Sequence, residues 1–369
     1  MKFINKNYTV IFISIIMSGS VNLLHAQVKF VNEFLNIGVG ARAQGMFNSV
    51  VASSSDATSA YWNPANLTRL KSPVQISAMH ANWFGSIANY DYGSIAKRIN
   101  KEKNSYAALT FIRLGIDNIP NTLNLVGPDG NIDFDRVTTF SASDYAGLLS
   151  YGTSVRSNLD FGGSVKVIHR TIGSFGSSWG FGADLGMTYR AKHFTVGLMT
   201  RDITTTFNAW SFSLKEEERN VFLASGNSVP ISSTEITLPR AILGLAYKTN
   251  LSNFSFLVET DFNFSSNGTQ ASIVSANRFN IDPTAGVEIG YAKLVYLRAG
   301  IGNLQRLINE TNASSVSSFD FQPNVGLGLV LGRIKLDYAL ANIGNVSSVA
   351  ASHIFSINLD FKEPSKDKK

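Results

Sequence analysis

From about Pro73 to Phe361 the chain alternates apolar residues with small or polar ones at a period of two. In one segment Trp179, Phe181, Ala183, Leu185, Met187 and Tyr189 share a face, and Gly180, Gly182, Asp184, Gly186, Thr188 and Arg190 share the other. Phe254, Phe256, Val258, Phe262 and Phe264 alternate in the same way with Ser255, Glu259, Asp261 and Asn263. Val325, Leu327, Leu329 and Leu331 alternate with Asn324, Gly326 and Gly328. Successive side chains of a strand point to opposite faces, so each segment predicts a strand with one apolar and one polar face. Fourteen are predicted, near 74–83, 88–99, 104–115, 143–156, 159–170, 178–191, 194–202, 239–249, 253–264, 282–292, 294–303, 321–332, 333–342 and 353–361.

The connections fall into two classes. Short ones at 98–104, 156–158, 190–193, 248–253, 292–293 and 332–333 take turns with longer ones at 116–142, 171–177, 203–238, 265–281, 304–320 and 343–352; the hairpin at 84–87 is the exception. Bacterial transmembrane barrels have an even strand number, short periplasmic turns and longer outer loops. Closure also removes the sheet edges that lipid cannot satisfy. The pattern therefore predicts an all-β fold, a fourteen-stranded antiparallel transmembrane β-barrel over 73–361 in the bacterial outer membrane. Its last strand, with Phe355, Ile357, Leu359 and Phe361, would close on the first. Both termini would then be periplasmic, with 362–369 as a polar tail, and outer-membrane lipid would surround the wall. Trp83, Tyr92, Trp179, Tyr189, Tyr291 and Tyr296 are the expected interfacial girdles.

Composition narrows the function classes. The 369 residues include no cysteine, which excludes a disulfide framework, a thiol nucleophile and a lipid-attachment cysteine. The net charge of +6 is scattered and includes Lys2 and Lys6, so no nucleic-acid surface is expected. Residues 1–26 read as a secretory signal peptide, with those lysines, an apolar stretch Val10–Met17, and Leu24-His25-Ala26 before the cleavage point. No later run approaches the roughly 20 apolar residues of a spanning helix. His80, His169, His193 and His353 show no metal-ligand spacing. His353 and Ser356, three apart on one strand, would face opposite ways. No phosphate loop, nucleophile elbow or dinucleotide glycine pattern is present, so no catalytic residue, metal or cofactor is expected.

Residues 27–72 break the alternation and read as a plug inside the barrel. Gly38, Gly40 and Gly45 would allow backbone to pass close to backbone. Asp56 would cap a helical turn over Ala57–Tyr61, and Pro64 holds Asn63 out of helical geometry. The candidate lumen residues are Glu33, Phe34, Arg42, Asp56, Trp62, Asn63, Pro64 and Ala65. For Asp56 and Asn63, capping and turn formation offer the plainer account, and for Phe34, packing. Inward Lys166, Arg170, Asp184, Arg190, Glu259, Asp261, Glu288 and Arg298 predict charge pairing inside the barrel. Loop 203–238 carries Phe207, Trp210, Phe212, Leu214, Phe222 and Leu223 and is the first candidate for partner contact or for a lid. Loop 116–142, with Leu123 and Leu125, is the second.

The run GVGARAQGMF followed by SSSDATSAYWNPANL resembles the amino-terminal signature of the PorV/PorQ family of Bacteroidetes outer-membrane proteins. It is more distantly similar to FadL, through an NEF-like start and an Asn-Pro-Ala element. LDYALANIG and HIFSINLDF resemble the family's closing strands. Together these stretches cover about 40 residues at one end and 25 at the other. Phe47-Asn48-Ser49 departs from the family, which usually has small residues there. The resemblance implies a FadL-like barrel and a role in the type IX protein secretion system. There it would contact the large translocon barrel and exported cargo bearing a carboxy-terminal sorting domain, and pass that cargo to surface attachment. The alternative is a FadL-like uptake channel for hydrophobic small molecules, with an apolar lumen near Phe34, Phe47 and Trp62. An apolar cavity with a gap in the wall would favour uptake, and a filled interior would favour docking.

Overall fold

The alternating segments form strands in a computed structural model that describes residues 31–83, 85–126, 130–224, 226–266, 274–276, 279–309, 316–343 and 351–362. The expected signal peptide, and the tail beyond Lys362, lie outside the described residues. The strands are β1 Val74–Trp83, β2 Ala88–Asn100, β3 Ser105–Asn121, β4 Thr138–Arg156, β5 Leu159–Ile172 and β6 Gly176–Arg190. There follow β7 Phe194–Arg201, β8 Thr206–Phe212, β9 Ser233–Thr237, β10 Arg240–Leu251, β11 Phe254–Ser265 and β12 Val274–Ala276. The last are β13 Phe279–Tyr291, β14 Val295–Asn309, β15 Val316–Leu331, β16 Ile334–Ala341 and β17 Ser352–Phe361.

Fourteen of these are the staves of a closed antiparallel barrel, in which β1 pairs with β17 and Val74 stands opposite Phe361. β8 and β9 prolong the wall above β7 and β10, and β12 is a short addition against β13. Two differences from the sequence reading have one cause. β3 runs on to Asn121 and β4 begins at Thr138, so their hairpin rises well past the expected ends, with a register shift between Ile116 and Ile119. A third of 203–238 is likewise strand, with one helix at Glu216–Ala224. Past the apolar band no lipid enforces alternation, but the backbone groups still pair across the ladder.

The apolar face points outward. Trp179 is 52% exposed on the outer wall, and Phe181, Leu185, Tyr189, Leu297 and Leu327 are exposed with it. Tyr291 joins this exterior as expected of a girdle residue. Trp83 and Tyr92 do not; both are buried in the lumen, and Tyr296 lies beside the inward Arg298, 5.5 Å from its guanidinium. Position near a strand end predicted a girdle, but the parity of each strand decides which way a ring points.

One row of cross-strand partners on the outer wall changes character as it goes round. It runs Ile289, Leu297, Leu327, Tyr338, Phe355, His80, Asp91, Arg113, Tyr145, His169 and Trp179. Ile289 stands two residues from its strand end at Tyr291, His80 six from Val74, Arg113 eight from Ser105, and Trp179 eleven from Arg190. Strands in a barrel are tilted, so a row perpendicular to them climbs the wall. The polar members sit where it has climbed furthest from the short turns. His80 Nδ1 is 2.7 Å from Asp91 Oδ1, Arg113 is 3.3 Å from the other Asp91 oxygen, and His169 stacks on Trp179 at 4.2 Å. Below this polar stretch β2 shows only Gly93 and Ile95 before the exposed Lys97, whereas β15 shows an apolar face from Phe321 to Leu331.

Candidate functional site: the plugged lumen

Residues 31–72 occupy the barrel interior. Gly38 and Gly40 adopt φ of 90° and 88°, which permits the sharp entry into the helical turn Ala41–Gly45. A second helical turn, Ser59–Trp62, leads through Asn63 into a 3-10 helix, Pro64–Arg69. Asn63 is extended, as the following proline requires, and its side chain accepts from Ala65 N at 3.2 Å. Its amide also donates to Val51 O, Met187 O and Thr188 Oγ1 at 3.1–3.2 Å, tying plug to β6. Asp56 accepts from Thr58 N at 3.0 Å, a local turn just before the helix.

Charged wall residues hold the plug. Arg42 Nε is 2.8 Å from Glu288 Oε2, which also meets Arg298 at 2.7 Å, and Arg298 in turn meets Asp337 at 2.7 Å. Burial works against the charge on Arg42, but the Glu288 carboxylate more than offsets it and leaves its pKa above the ordinary value. On β11, Asp261 accepts from Val50 N and Val51 N at 3.1 Å, and Glu259 accepts from Ala52 N at 2.6 Å. Arg69 donates to Ala52 O at 2.7 Å; burial, with Arg190 nearby, brings its pKa down to about 10. Lys166 lies 2.8 Å from Asp184 and 2.6 Å from Asp202, Arg170 pairs with Asp144, and Arg190 with Asp160. All eight inward charges named from the sequence thus lie in the lumen, six in ion pairs and Glu259 and Asp261 as acceptors for the plug backbone.

The wall glycines are what the sequence reading missed. A Cβ at Gly286 would stand 2.6 Å from Met46 O, one at Gly197 2.6 Å from Val51 O, and one at Gly300 2.2 Å from the carbonyl carbon of Met46. Real Cβ atoms do not approach so closely, so the plug seats only because these inward positions lack one. The signal was present in the alternating glycines of the inward faces, which had been read only as small polar-side residues.

Between plug and upper wall lies an apolar cluster. Phe34, Leu35, Tyr61 and Trp62 pack with Trp83, Tyr90, Ile112, Ile168 and Met199. Tyr61 and Trp62 meet edge to face at 4.9 Å, and the Arg201 guanidinium lies 4.3 Å over the Tyr61 ring. Phe34, Asp56, Trp62, Asn63, Pro64 and Ala65 are buried in the lumen; Glu33 is exposed and bonded to Asn36 at 2.6 Å. Phe47, half-buried, sits at φ 50° with Asn48 at 64°, a left-handed backbone that favours glycine. Internal voids beside Arg240 and beside Arg42 each amount to about 10 Å³. A concavity of about 710 Å³ lies instead on the outer wall, bordered by Ala78, Leu327, Leu336 and Phe355.

The loop candidates separate. Trp210, expected on a loop surface, is on β8 facing inward; it is buried, donates to Glu235 at 2.8 Å and stacks with Phe212 at 5.6 Å. Phe207 faces out beside Phe181, Leu223 is exposed on the helix, and Leu214 and Phe222 are half-buried. Leu123 and Leu125 are half-buried in the β3–β4 loop, whose exposed apolar groups are Val126, Ile132 and Phe134. His353 points outward to the Tyr338 hydroxyl at 2.8 Å, and Ser356 points inward, accepting from Ala41 N at 3.0 Å.

Solved structures share this overall barrel fold. The toluene transporter TodX of P. putida superposes with a TM-score of 0.57 at 11% identity, covering 89% of this chain and 99% of that one. The Ralstonia pickettii toluene transporter TbuX gives 0.53 at 13%, covering 88% and 98%, and a Pseudomonas aeruginosa FadL homologue gives 0.52 at 11%, also covering 88% and 98%. The fold is FadL-like. No protein-family model and no curated sequence matches the chain. A FadL-like barrel with this apolar exterior is an integral protein of the outer-membrane type.

Proposed function

We propose that this FadL-like barrel admits hydrophobic small molecules across the outer membrane, with the plug as its gate. The observation that supports this is the apolar cluster of Phe34, Leu35, Tyr61 and Trp62 against the upper wall. In the plugged state the protein's own aromatic rings fill the volume that an apolar solute would take. Ligand pockets of this kind are lined mainly by hydrophobic and aromatic side chains. The barrels it resembles in fold include toluene transporters and a monoaromatic hydrocarbon channel. In this reading the short turns face the periplasm and β17 ends on that side. The expectation of two periplasmic termini does not carry over, since Asn32 lies at the loop end, bonded to Asn208 on β8 and to Thr237 on β9.

The chain has no cysteine, so a plug lock is easily built. Ser49 Oγ and Thr284 Oγ1 are 2.7 Å apart, one on the plug and one on β13. With Ser49→Cys and Thr284→Cys, uptake of toluene into cells should stop under oxidation and return on reduction. Uptake indifferent to the lock would remove the plug from the gating role.

A second reading is favoured by how closely the lumen is filled, with internal voids of only about 10 Å³. In it the barrel is a rigid docking component of type IX secretion, as the PorV/PorQ resemblance implies, and exported cargo or a translocon barrel binds its loop end. Native purification in mild detergent discriminates the two. Co-purified proteins sharing a sorting domain would support docking, and co-purified apolar ligand would support uptake.

A further inference from the structure

We propose that Arg201 and Arg240 hold one small anionic group, a halide or a carboxylate, in the lumen void they line where β7 bends into β8. The two residues are direct cross-strand partners on β7 and β10, and both point inward. Like charges set opposite each other in this way repel. Arg201 is only 5% exposed, and its hydrogen bonds go to neutral groups, to Leu35 O at 3.2 Å, Tyr61 OH at 3.0 Å and Tyr61 O at 3.4 Å. The Nε atoms of both arginines are buried without a partner. Among the described residues, Arg240 makes no ion pair.

Carboxylates are close by but already engaged. Asp184 and Asp202 also line the void, and both meet Lys166. The lining therefore carries three cations and two carboxylates. A buried lysine or carboxyl can shed an unfavourable charge by titrating, but a guanidinium cannot. An uncompensated buried guanidinium is costly, and an anion is the remaining means of balance. The void of about 10 Å³ is of the order of one water-sized group, which a small anion would fill by drawing in the two guanidinium groups, with the amide and hydroxyl of Asn32 and Thr237 on its border. The bend supplies the room, since Asp202 and Thr205 turn through φ of 57° and 58° between the two strands. The proposal stands under either functional reading, because it rests on the charge balance of the wall.

The test uses the full-length protein in non-ionic detergent, equilibrated in the bulky sulfonate HEPES and titrated with bromide, formate or octanoate at fixed ionic strength. Bromide or formate should raise the Tm saturably by several degrees, as expected for a ligand of the native state alone. Arg240→Gln should abolish that response and have a Tm in HEPES at or above that of wild type, since the repulsion is gone. A wild-type Tm equal in HEPES, bromide and formate overturns the proposal, as does an unchanged response in R240Q. Should R240Q fail to fold, chloride-35 NMR of the wild-type protein decides. Line broadening relieved by formate is expected, and none overturns it. Octanoate acting at lower concentration than formate would identify the head of an amphiphile, and octanoate without effect beside active bromide a free anion; either supports the site.

Discussion

Arg42 in the plug and Glu288 on β13 meet at 2.8 Å, and the same carboxylate oxygen lies 2.7 Å from Arg298 on β14. Removing the acid leaves two buried guanidinium groups short of a partner, a loss of about 3–5 kcal/mol when a buried pair is broken. Glu288→Gln should therefore loosen the plug, seen as protease cleavage within residues 31–72 while the wall stays intact. In Arg42→Met with Glu288→Met, Arg298 keeps Asp337 at 2.7 Å, and most of the stability should return. A double variant no better than E288Q would show that the pair does not anchor the plug.

Gly286 and Gly197 touch plug carbonyls so closely that an added methyl must displace backbone. Each change to Ala should cost about 1–3 kcal/mol through overpacking and raise the barrel's single-channel conductance. Gly93→Ala is the control, because a Cβ there meets nothing within 4 Å. Equal conductance in all three variants would mean that the plug is not seated on these glycines.

Asn63 is fully buried and serves four plug and wall groups at once. Asn63→Ala removes a cap and strands buried acceptors, for a combined cost of about 3 kcal/mol. Hydrogen exchange at Ala65 and Asn66 should accelerate by two orders of magnitude or more. Asn63→Asp, which can still accept from Ala65, should fall between.

Asp91 and Arg113 place a charge pair on the outer wall of β2 and β3, away from the short turns and above a narrow strip of Gly93 and Ile95. Wild-type protein should resist urea better in bilayers of twelve-carbon chains than of sixteen-carbon chains, by about 1–2 kcal/mol. Asp91→Leu with Arg113→Leu should erase or reverse that difference. The same preference in wild type and variant would mean that the pair does not set the local boundary.

The staves were legible in the sequence because lipid outside and plug inside impose a period of two on every strand, and β1 falls on the expected residues from Val74 to Trp83. Strand extensions such as Ile116 to Asn121 were not, since above the lipid no solvent contrast marks the faces. The plug was legible from its broken alternation and the setting of Asn63 and Pro64. Its anchors were not. Glu288 was recognised as inward, but register alone shows that it meets Arg42. Register likewise brings Arg201 opposite Arg240 and gathers His80, Asp91 and Arg113 from three strands. Trp210 reads as a loop residue because it falls in a long connection rich in aromatics, although the short strand Thr206–Phe212 turns its ring inward.

Ala41 N–H bonds to Ser356 on β17, 315 residues later in the chain, and Gly45 rests against Gly326. The first folded segment to be made therefore has no complete seat until the last strand arrives. Bringing such distant partners together carries a loop-closure cost that local hairpins do not. Assembly must then hold the leading segment unengaged while the hairpins form, and seating it coincides with the joining of β17 to β1. Barrel closure and plug insertion become one late kinetic event, and a truncation that removes β17 should leave the amino-terminal segment as exposed to protease as an unfolded chain.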